Sequence, residues 1–309
     1  EKMKRIILNL FLLFCVSITY TQLPYSESFE NDFGIWVQLS APDDHFDWTR
    51  HTGPTPTPTW GTGPAMASDG DYYIYIEATG NNNPPRHAII EASFDFSGTT
   101  MPILSFDYHM WGSGIGNLFL YAYNGSTWTE IWNQFNDQGN HWHNVKICLG
   151  QYANNPNVKL RFKAETQYTD SSDIALDNIR IIDFSYDEIN HTNVTCGGYF
   201  DGEIDISVLG GYSPYEYSIN DGAEYFPDAS TNKIFSNLPG GSYPIRVRDN
   251  SGCMINGGIV TINEPAQPSI THTKTDVYDC SYSHNGTITI TASGIGAPYE
   301  YSINGFDDP

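Results

Sequence analysis

The sequence predicts an all-β chain, a larger β-sandwich followed by small tandem β-sandwich repeats. Three observations carry this. The 309 residues include 21 Tyr, 16 Phe, 28 Gly and 18 Pro, with many Thr and Ser and no long runs of the strong helix formers. That is the composition of twisted sheets joined by tight turns. Apolar segments of strand length recur at short, regular intervals up to about residue 185, and several alternate with period two. Finally, the block Cys196–Asn220 (CGGYFDGEIDISVLGGYSPYEYSIN) recurs in the same register as Cys280–Asn304 (CSYSHNGTITITASGIGAPYEYSIN). Repetition at a fixed period is the mark of an array of similar small domains.

Residues 1–21 read as a signal peptide. Lys4-Arg5 is a basic start, Ile6–Ile18 is an apolar run too short to span a bilayer comfortably, and small residues at Thr19 and Thr21 place cleavage near Gln22. No later segment approaches a membrane span, so the mature chain is expected to be exported. The expected strands of the first domain, residues 22–185, are Ile35–Leu39, Tyr72–Ala78, His87–Phe94, Ile103–Met110, Asn117–Tyr123, Thr127–Phe135, His141–Leu149, Val158–Glu165 and Ile174–Ile182. Gly112-Ser113-Gly114, Asn124-Gly125-Ser126 and Asn154-Asn155-Pro156 supply turns between them. The long stretch Phe46–Ala78 contains Pro54, Pro56, Pro58 and Pro64 and carries carboxylates at both ends. A proline-rich loop of this length packs on a sheet or builds a site. A break is expected at 186–193, a linker. Two repeats follow, 194–265 and 268–309, the second truncated. Each is expected to be a small Ig-like β-sandwich with strands such as Glu203–Leu209 and Tyr215–Ile219.

Charge is lopsided, with 14 Lys and Arg against 36 Asp and Glu and a net charge of −22. Such a surface repels nucleic acid and anionic lipid and suits hard cations. Among the cysteines, Cys15 goes with the leader. Cys148 lies alone in the strand pattern Val145–Leu149 and reads as a small buried hydrophobe. Export permits disulfides, and Cys196 with Cys253 is the expected pair. Cys280 has no later cysteine to meet.

Ser28-Phe29-Glu30, DHFDWTR at 44–50, Gly53-Pro54-Thr55-Pro56, Gly61-Thr62-Gly63-Pro64 and DYYIYIEA at 71–78 come in an order that resembles MAM domains. So do LSFDYHMWGSGIG at 104–116, Gln138–Trp142 and DIALDNIRI at 173–181. The resemblance covers nearly all of residues 26–184. It implies a jelly roll of two antiparallel sheets with a role in extracellular adhesion or recognition. The cysteines usual in that family are mostly missing, so an aromatic core must carry the fold. The repeats, with Asp249-Asn250-Ser251-Gly252-Cys253 near the close of the first copy, resemble the SprB repeat of Bacteroidetes gliding and surface adhesins.

The resemblance implies a metal that, as often in jelly rolls of this kind, pins the first strand and a loop to the last strand. The corresponding carboxylates are Glu30, Asp69, Asp71 and Asp177, which suit a structural Ca2+. The competing reading is that Asp69-Gly70-Asp71 is only a turn and Asp177 only bonds backbone amides. Of the seven Trp, Trp48, Trp111 and Trp142 fall in family motifs and read as core. Trp60 lies in the loop and is the candidate for ligand contact. His141-Trp142-His143 lacks a third ligand. No H-E-x-x-H, G-x-S-x-G or P-loop appears, and Glu203-Ile204-Asp205 is plain strand alternation. The expected function is therefore a non-catalytic adhesion or recognition module of a secreted or cell-surface bacterial protein. Its first domain binds an extracellular glycan or protein and its repeats act as a stalk. No nucleic acid is expected as a partner; outer-membrane secretion or anchoring machinery is expected through a C-terminus beyond this segment. The alternative is a targeting module of a secreted hydrolase, a protease or glycosidase, whose catalytic domain lies outside the segment.

Overall fold

A computed structural model describes residues 23–56, 61–82, 86–168, 170–277, 285–294 and 298–303. The expected leader, Trp60 and Cys280 lie outside the described residues. The chain forms two compact units. The first takes residues up to 98 together with 105–145 and 152–181; the second takes 99–104, 146–151 and 182 onward.

The strands of the first part of the chain are β1 (Tyr25–Glu27), β2 (Val37–Gln38), β3 (Thr49–Thr52), β4 (Tyr72–Ile76), β5 (His87–Phe94), β6 (Pro102–Met110), β7 (Asn117–Tyr123), β8 (Trp128–Phe135), β9 (His143–Cys148), β10 (Val158–Glu165) and β11 (Ile174–Asp183). One sheet runs β3-β4-β11-β6-β9, with β1 also paired to β11. The other runs β2-β5-β10-β7-β8. This is the expected jelly-roll sandwich, and its core follows from alternation. On β10, Val158, Leu160, Phe162 and Ala164 are fully buried, while the residues between them are not. Leu118, Leu120 and Ala122 do the same on β7; on β5, Ala88, Ile90, Ala92 and Phe94 are buried, and so is Ile89 on the opposite face. The inner faces meet through aromatic rings. Phe106 of β6 reaches Phe162 of β10 at 4.9 Å and Trp132 of β8 at 5.2 Å; Tyr25 reaches Phe94 at 5.3 Å. Each such edge-on pair adds roughly 1 kcal/mol beyond the area it buries.

Strand β6 is buried along its whole length. One of its faces looks into the sandwich. The other, with Asp107 and His109, lies under the proline-rich loop. Trp142 donates its indole N–H to the Met66 carbonyl at 2.9 Å, Tyr73 donates its hydroxyl to the Gly53 carbonyl at 2.7 Å, and the Asp173 amide donates to Thr62 Oγ1 at 2.9 Å. Trp142 and Ala67 pack on Tyr73, Tyr75 and Ala175. The loop thus roofs the outer face of the six-stranded sheet.

In the second unit the strands are β12 (Ser185–Thr192), β13 (Gly202–Leu209), β14 (Tyr215–Ser218), β15 (Phe226–Asp228), β16 (Asn232–Leu238), β17 (Gly241–Arg248), β18 (Met254–Ile262), β19 (Ser269–Thr275) and β20 (Thr287–Ser293). They form sheets β12-β13-β16, β15-β14-β17-β18 and the hairpin β19-β20. Ile204, Ile206, Val208, Tyr217, Ile245 and Val247 build one buried cluster. The repeated block Pro214–Ser218 supplies β14, whose Tyr217 is fully buried. Two expectations are corrected here. Residues 186–193 are not a linker. Nearly all of them belong to β12, which pairs antiparallel with β13 while Tyr186 and Ile189 pack on the cluster. Asp187, Glu188, Asn190 and His191 face solvent, which gives the segment the composition of a spacer.

The second correction concerns the disulfide. Cys253 pairs with Cys148 at a Cα–Cα distance of 5.5 Å, and Cys196 is free and exposed. Cys148 is therefore not a buried hydrophobe but the exposed last residue of β9. Cys253 is buried in the turn before β18, with its amide held by Asp249 Oδ1 at 3.0 Å. The bond closes a span of 105 residues, and a cross-link over that length contributes on the order of 3–5 kcal/mol by restricting the unfolded chain. A non-reducing peptide map is expected to recover the Cys148–Cys253 cross-link. Cys253→Ser is expected to lower the thermal midpoint of the second unit, while Cys196→Ser leaves it unchanged. A map joining Cys196 to Cys253 would overturn this pairing.

Candidate binding face

The two outer faces of the sandwich differ. The face of the six-stranded sheet is roofed; that of the five-stranded sheet is open and carries the side chains that point away from the core. Three cross-strand rungs define it. Glu91, Arg161 and Tyr121 lie opposite one another on β5, β10 and β7. Ile89, Lys163 and Phe119 form the next rung, and Ser93, Lys159 and Tyr123 the third, which Trp128 of β8 extends. Directly opposed side chains in a sheet interact, and here they do so as rings against cations. The Arg161 guanidinium lies 4.1 Å over the Trp128 ring, and Lys163 Nζ lies 5.8 Å over Phe119. Phe119 stacks on Tyr121 at 6.2 Å, Tyr123 meets Trp128 at 5.3 Å and Phe135 meets Phe119 at 5.6 Å. Val37, 62% exposed, and Phe135, 41% exposed, stand at the two sides of the sheet.

Carboxylates fix the cations. Glu91 accepts from Lys159 Nζ at 2.8 Å and from Arg161 Nη2 and Nε at 2.7 and 3.1 Å. Lys163 pairs with Glu165 at 2.6 Å. Burial raises the Tyr121 hydroxyl above its ordinary pKa, and the Glu130 carboxylate it bonds adds to the effect. A cleft of about 330 Å3 opens on this face between Asp43, His87, Ile89, Tyr121, Trp128, Arg161 and Lys163. Its size falls at the lower end of ligand clefts, and rings with a few fixed polar groups are the usual lining of such clefts.

The carboxylates expected to hold a cation lie at another place, around the turn that ends the loop. Glu30 Oε1 accepts from the amides of Asp71 and Tyr72, both at 2.9 Å. Gly70 sits at φ +71°, and a Cβ there would fall 2.4 Å from Glu30 Oε1, so the turn needs glycine. Phe29 itself adopts φ +58°, a conformation unusual for so bulky a residue. Arg50 bonds the carbonyls of Phe29 and Glu30 and lies 3.4 Å over the Tyr72 ring. Asp177 is fully buried. Its Oδ2 accepts from the amides of Ser68 and Asp69 at 2.8 and 3.0 Å, and its Oδ1 accepts from the amide of Asn178 at 2.7 Å. Asp107 bonds Ser68 Oγ at 2.8 Å and the side-chain amides of Asn144 and Asn178 at 2.7 and 3.0 Å. Glu30 and Asp69 line a polar cleft of about 280 Å3 that Asp71 and Asp177 do not line, and Arg180 stands in that cleft. Arg180 pairs with Asp69 at 3.2 Å. The four carboxylates therefore surround a turn instead of converging on a point, and they do not fit a calcium cage as placed. Among the described residues, no group of three or more His, Cys, Asp or Glu is arranged to hold a metal ion.

Of the Trp residues, Trp36 and Trp48 are core, each 2% exposed. Trp142 lies under the loop, and Trp132 packs inward on Phe106. The tryptophan on the open face is Trp128, which the sequence reading did not single out. The signal that points to it is the alternation Lys159-x-Arg161-x-Lys163, a basic stripe in an acidic chain. His141 and His143 lie with rings 4.0 Å apart, and His143 stacks on Tyr108 at 5.1 Å.

A jelly roll with one covered and one open aromatic face, followed by small sandwich repeats, is the architecture of a binding module. The profile of the MAM domain, meprin/A5/mu, matches residues 28–189, and the chain belongs to that family. The SprB repeat profile matches residues 189–224 and 271–307. Among curated relatives, Neuropilin-1a of Danio rerio is 30% identical over 154 residues, covering 48% of this chain and 16% of its own length. The chain thus spans about a sixth of that relative. Two solved structures match at low similarity. The K1 cleaved adhesin domain of Lys-gingipain from Porphyromonas gingivalis W83 is 17% identical, with a TM-score of 0.36 over 51% of this chain and 96% of that one. TmCBM61 in complex with β-1,4-galactotriose is 12% identical, with a TM-score of 0.37 over 50% and 94%. Neither matched family is a catalytic one.

Burial raises the Asp177 carboxyl from 3.8 to about 6, against its amide donors, which oppose the rise. Between those two values the folded chain holds a proton that the unfolded chain lacks. The contribution of Asp177 to stability is therefore full below pH 3.8 and is lost as pH rises through about 6. Lowering the pH from neutral to below 6 is expected to raise the melting temperature of the first unit relative to Asp177→Asn. Identical pH profiles for the two proteins would contradict this. With the turn held by amides and Arg180, EDTA is expected to leave the same transition unmoved. A fall on EDTA that Ca2+ reverses would show instead that Arg180 gives way to calcium.

Proposed function

We propose that the chain is a non-catalytic extracellular recognition module, in which the open face of the five-stranded sheet binds a glycan and the repeats hold that face away from its point of attachment. The observation that carries this reading is the Trp128–Arg161 contact beside Tyr121 and Tyr123. Flat rings present a surface on which the C–H face of a sugar stacks, and cations and carboxylates fixed beside them supply hydrogen bonds to its hydroxyls. A cluster of half-buried rings on an outer sheet face, with Phe135 41% exposed beside it, is the kind of surface on which a ligand packs. Membership of the MAM family and the SprB repeats support adhesion or binding over catalysis. No helix among the described residues is long and apolar enough to cross a membrane. Attachment to a secretion or anchoring machinery belongs to the same proposal and rests on the resemblance of the repeats.

Loss of one stacked ring removes on the order of 1.5 kcal/mol, close to tenfold in affinity. Purified chain on a glycan array is expected to give signals that Trp128→Ala reduces about tenfold or more with an unchanged melting temperature. A blank array, or binding that survives Trp128→Ala, would remove this face as a glycan site.

A further inference from the structure

We infer that the ligand of the open face is a neutral glycan chain, several sugar residues long, and not an acidic one; the inference rests on the glycan reading above. At first sight three cations on one strand suggest an anion site. Their hydrogen bonds say otherwise. Arg161 spends both Nε and Nη2 on one oxygen of Glu91, and Lys159 takes the other oxygen. Lys163 is held by Glu165. The guanidinium fork that would grip a sugar carboxylate or sulfate is already filled by a protein carboxylate. Asp43 in the cleft and Glu130 beside Tyr121 add negative charge to the same face. The three cations are thus outnumbered locally, on a chain whose net charge is −22. Lys159, Arg161 and Lys163 are each already paired with a carboxylate, and the chain around them is strongly acidic, so a polyanion approaching these three cations meets a repulsive field. A neutral sugar meets no such penalty.

Length follows from spacing. Phe119, Tyr121 and Tyr123 project from alternate positions of β7, so the row spans about 13 Å along the strand. Trp128 lies against its end at Tyr123. A single sugar ring covers only part of this row, whereas an extended chain lies along it. Glu91 is the positioning residue. By holding Arg161 over Trp128 it shapes the stacking surface and removes the guanidinium from anion binding.

The test is native affinity electrophoresis of the whole chain. Gels contain neutral polysaccharides (xylan, β-1,4-galactan, mannan, laminarin) or acidic ones (alginate, polygalacturonate, heparin), each at low and high salt. The expected result is retardation by a neutral polysaccharide, insensitive to salt and lost in Trp128→Ala. The corresponding trisaccharide should compete at least tenfold better than the monosaccharide. Glu91→Gln frees Arg161 and Lys159 and is expected to gain salt-sensitive retardation in alginate, and residual retardation in the neutral gel shows that it is folded. Retardation of the wild type only by acidic polysaccharides and suppressed by salt would overturn neutrality while leaving the glycan site standing. Equal competition by monosaccharide and trisaccharide would overturn the chain length. No retardation in any gel would remove the glycan reading itself and this inference with it.

Discussion

The first unit depends on two buried carboxylates. Asp177 and Asp107 sit on neighbouring strands of the six-stranded sheet and reach out of it to Ser68. Burying a carboxylate is costly unless hydrogen bonds replace its water, and here Ser68 and Asp69 at the end of the proline-rich loop supply part of the donors, with Asn144 and Asn178 supplying the rest. The carboxylates and the loop end thus support each other, alongside the Trp142–Met66, Tyr73–Gly53 and Asp173–Thr62 hydrogen bonds that also hold the loop on the sheet. The prolines lower the entropy lost when the loop is laid down. What results is a covered face, with Trp142, Tyr73 and Tyr75 shielded beneath it.

The open face is the complement of that arrangement. A two-sheet sandwich has two outer surfaces, and the loop covers one. Phe119, Tyr121, Tyr123 and Trp128 stay half-buried on the other, where their hydrophobic cost is offset in part by cation contacts and ion pairs worth little individually at a surface. Such a surface gains little for folding. Its alternation of rings and paired charges across three rungs is what the proposed binding role would use. The site rests on strands, whose positions the aromatic core between the sheets fixes, and not on loop tips.

Much of this was legible in the sequence, and the remainder has physical reasons. Strands β5, β7 and β10 follow from period-two alternation, and β6 and β11 from apolar runs. The repeat boundary was half legible: the identical block at Pro214 and Pro298 marks the copies, but β12 hides because only Tyr186 and Ile189 of it face inward. The disulfide was misread because Cys148 takes the place of an apolar residue in a strand pattern, and chain order does not tell which sulfur is near. The candidate carboxylates Glu30, Asp69, Asp71 and Asp177 were legible. Which of them point at a common centre was not, since that depends on Arg180 and on amides no motif reveals. The binding face was missed for a related reason. Trp128, Tyr121 and Arg161 alternate like any surface strand, and their exposure has meaning only once the other face is known to be covered.

The assignment of the open face as the ligand surface is tested most directly by hydrogen–deuterium exchange of the whole chain, with and without the polysaccharide that retards it most. Protection is expected over residues 117–135 and 158–165, the strands that carry the rings and cations. Protection confined to residues 61–71, on the covered side, would contradict it.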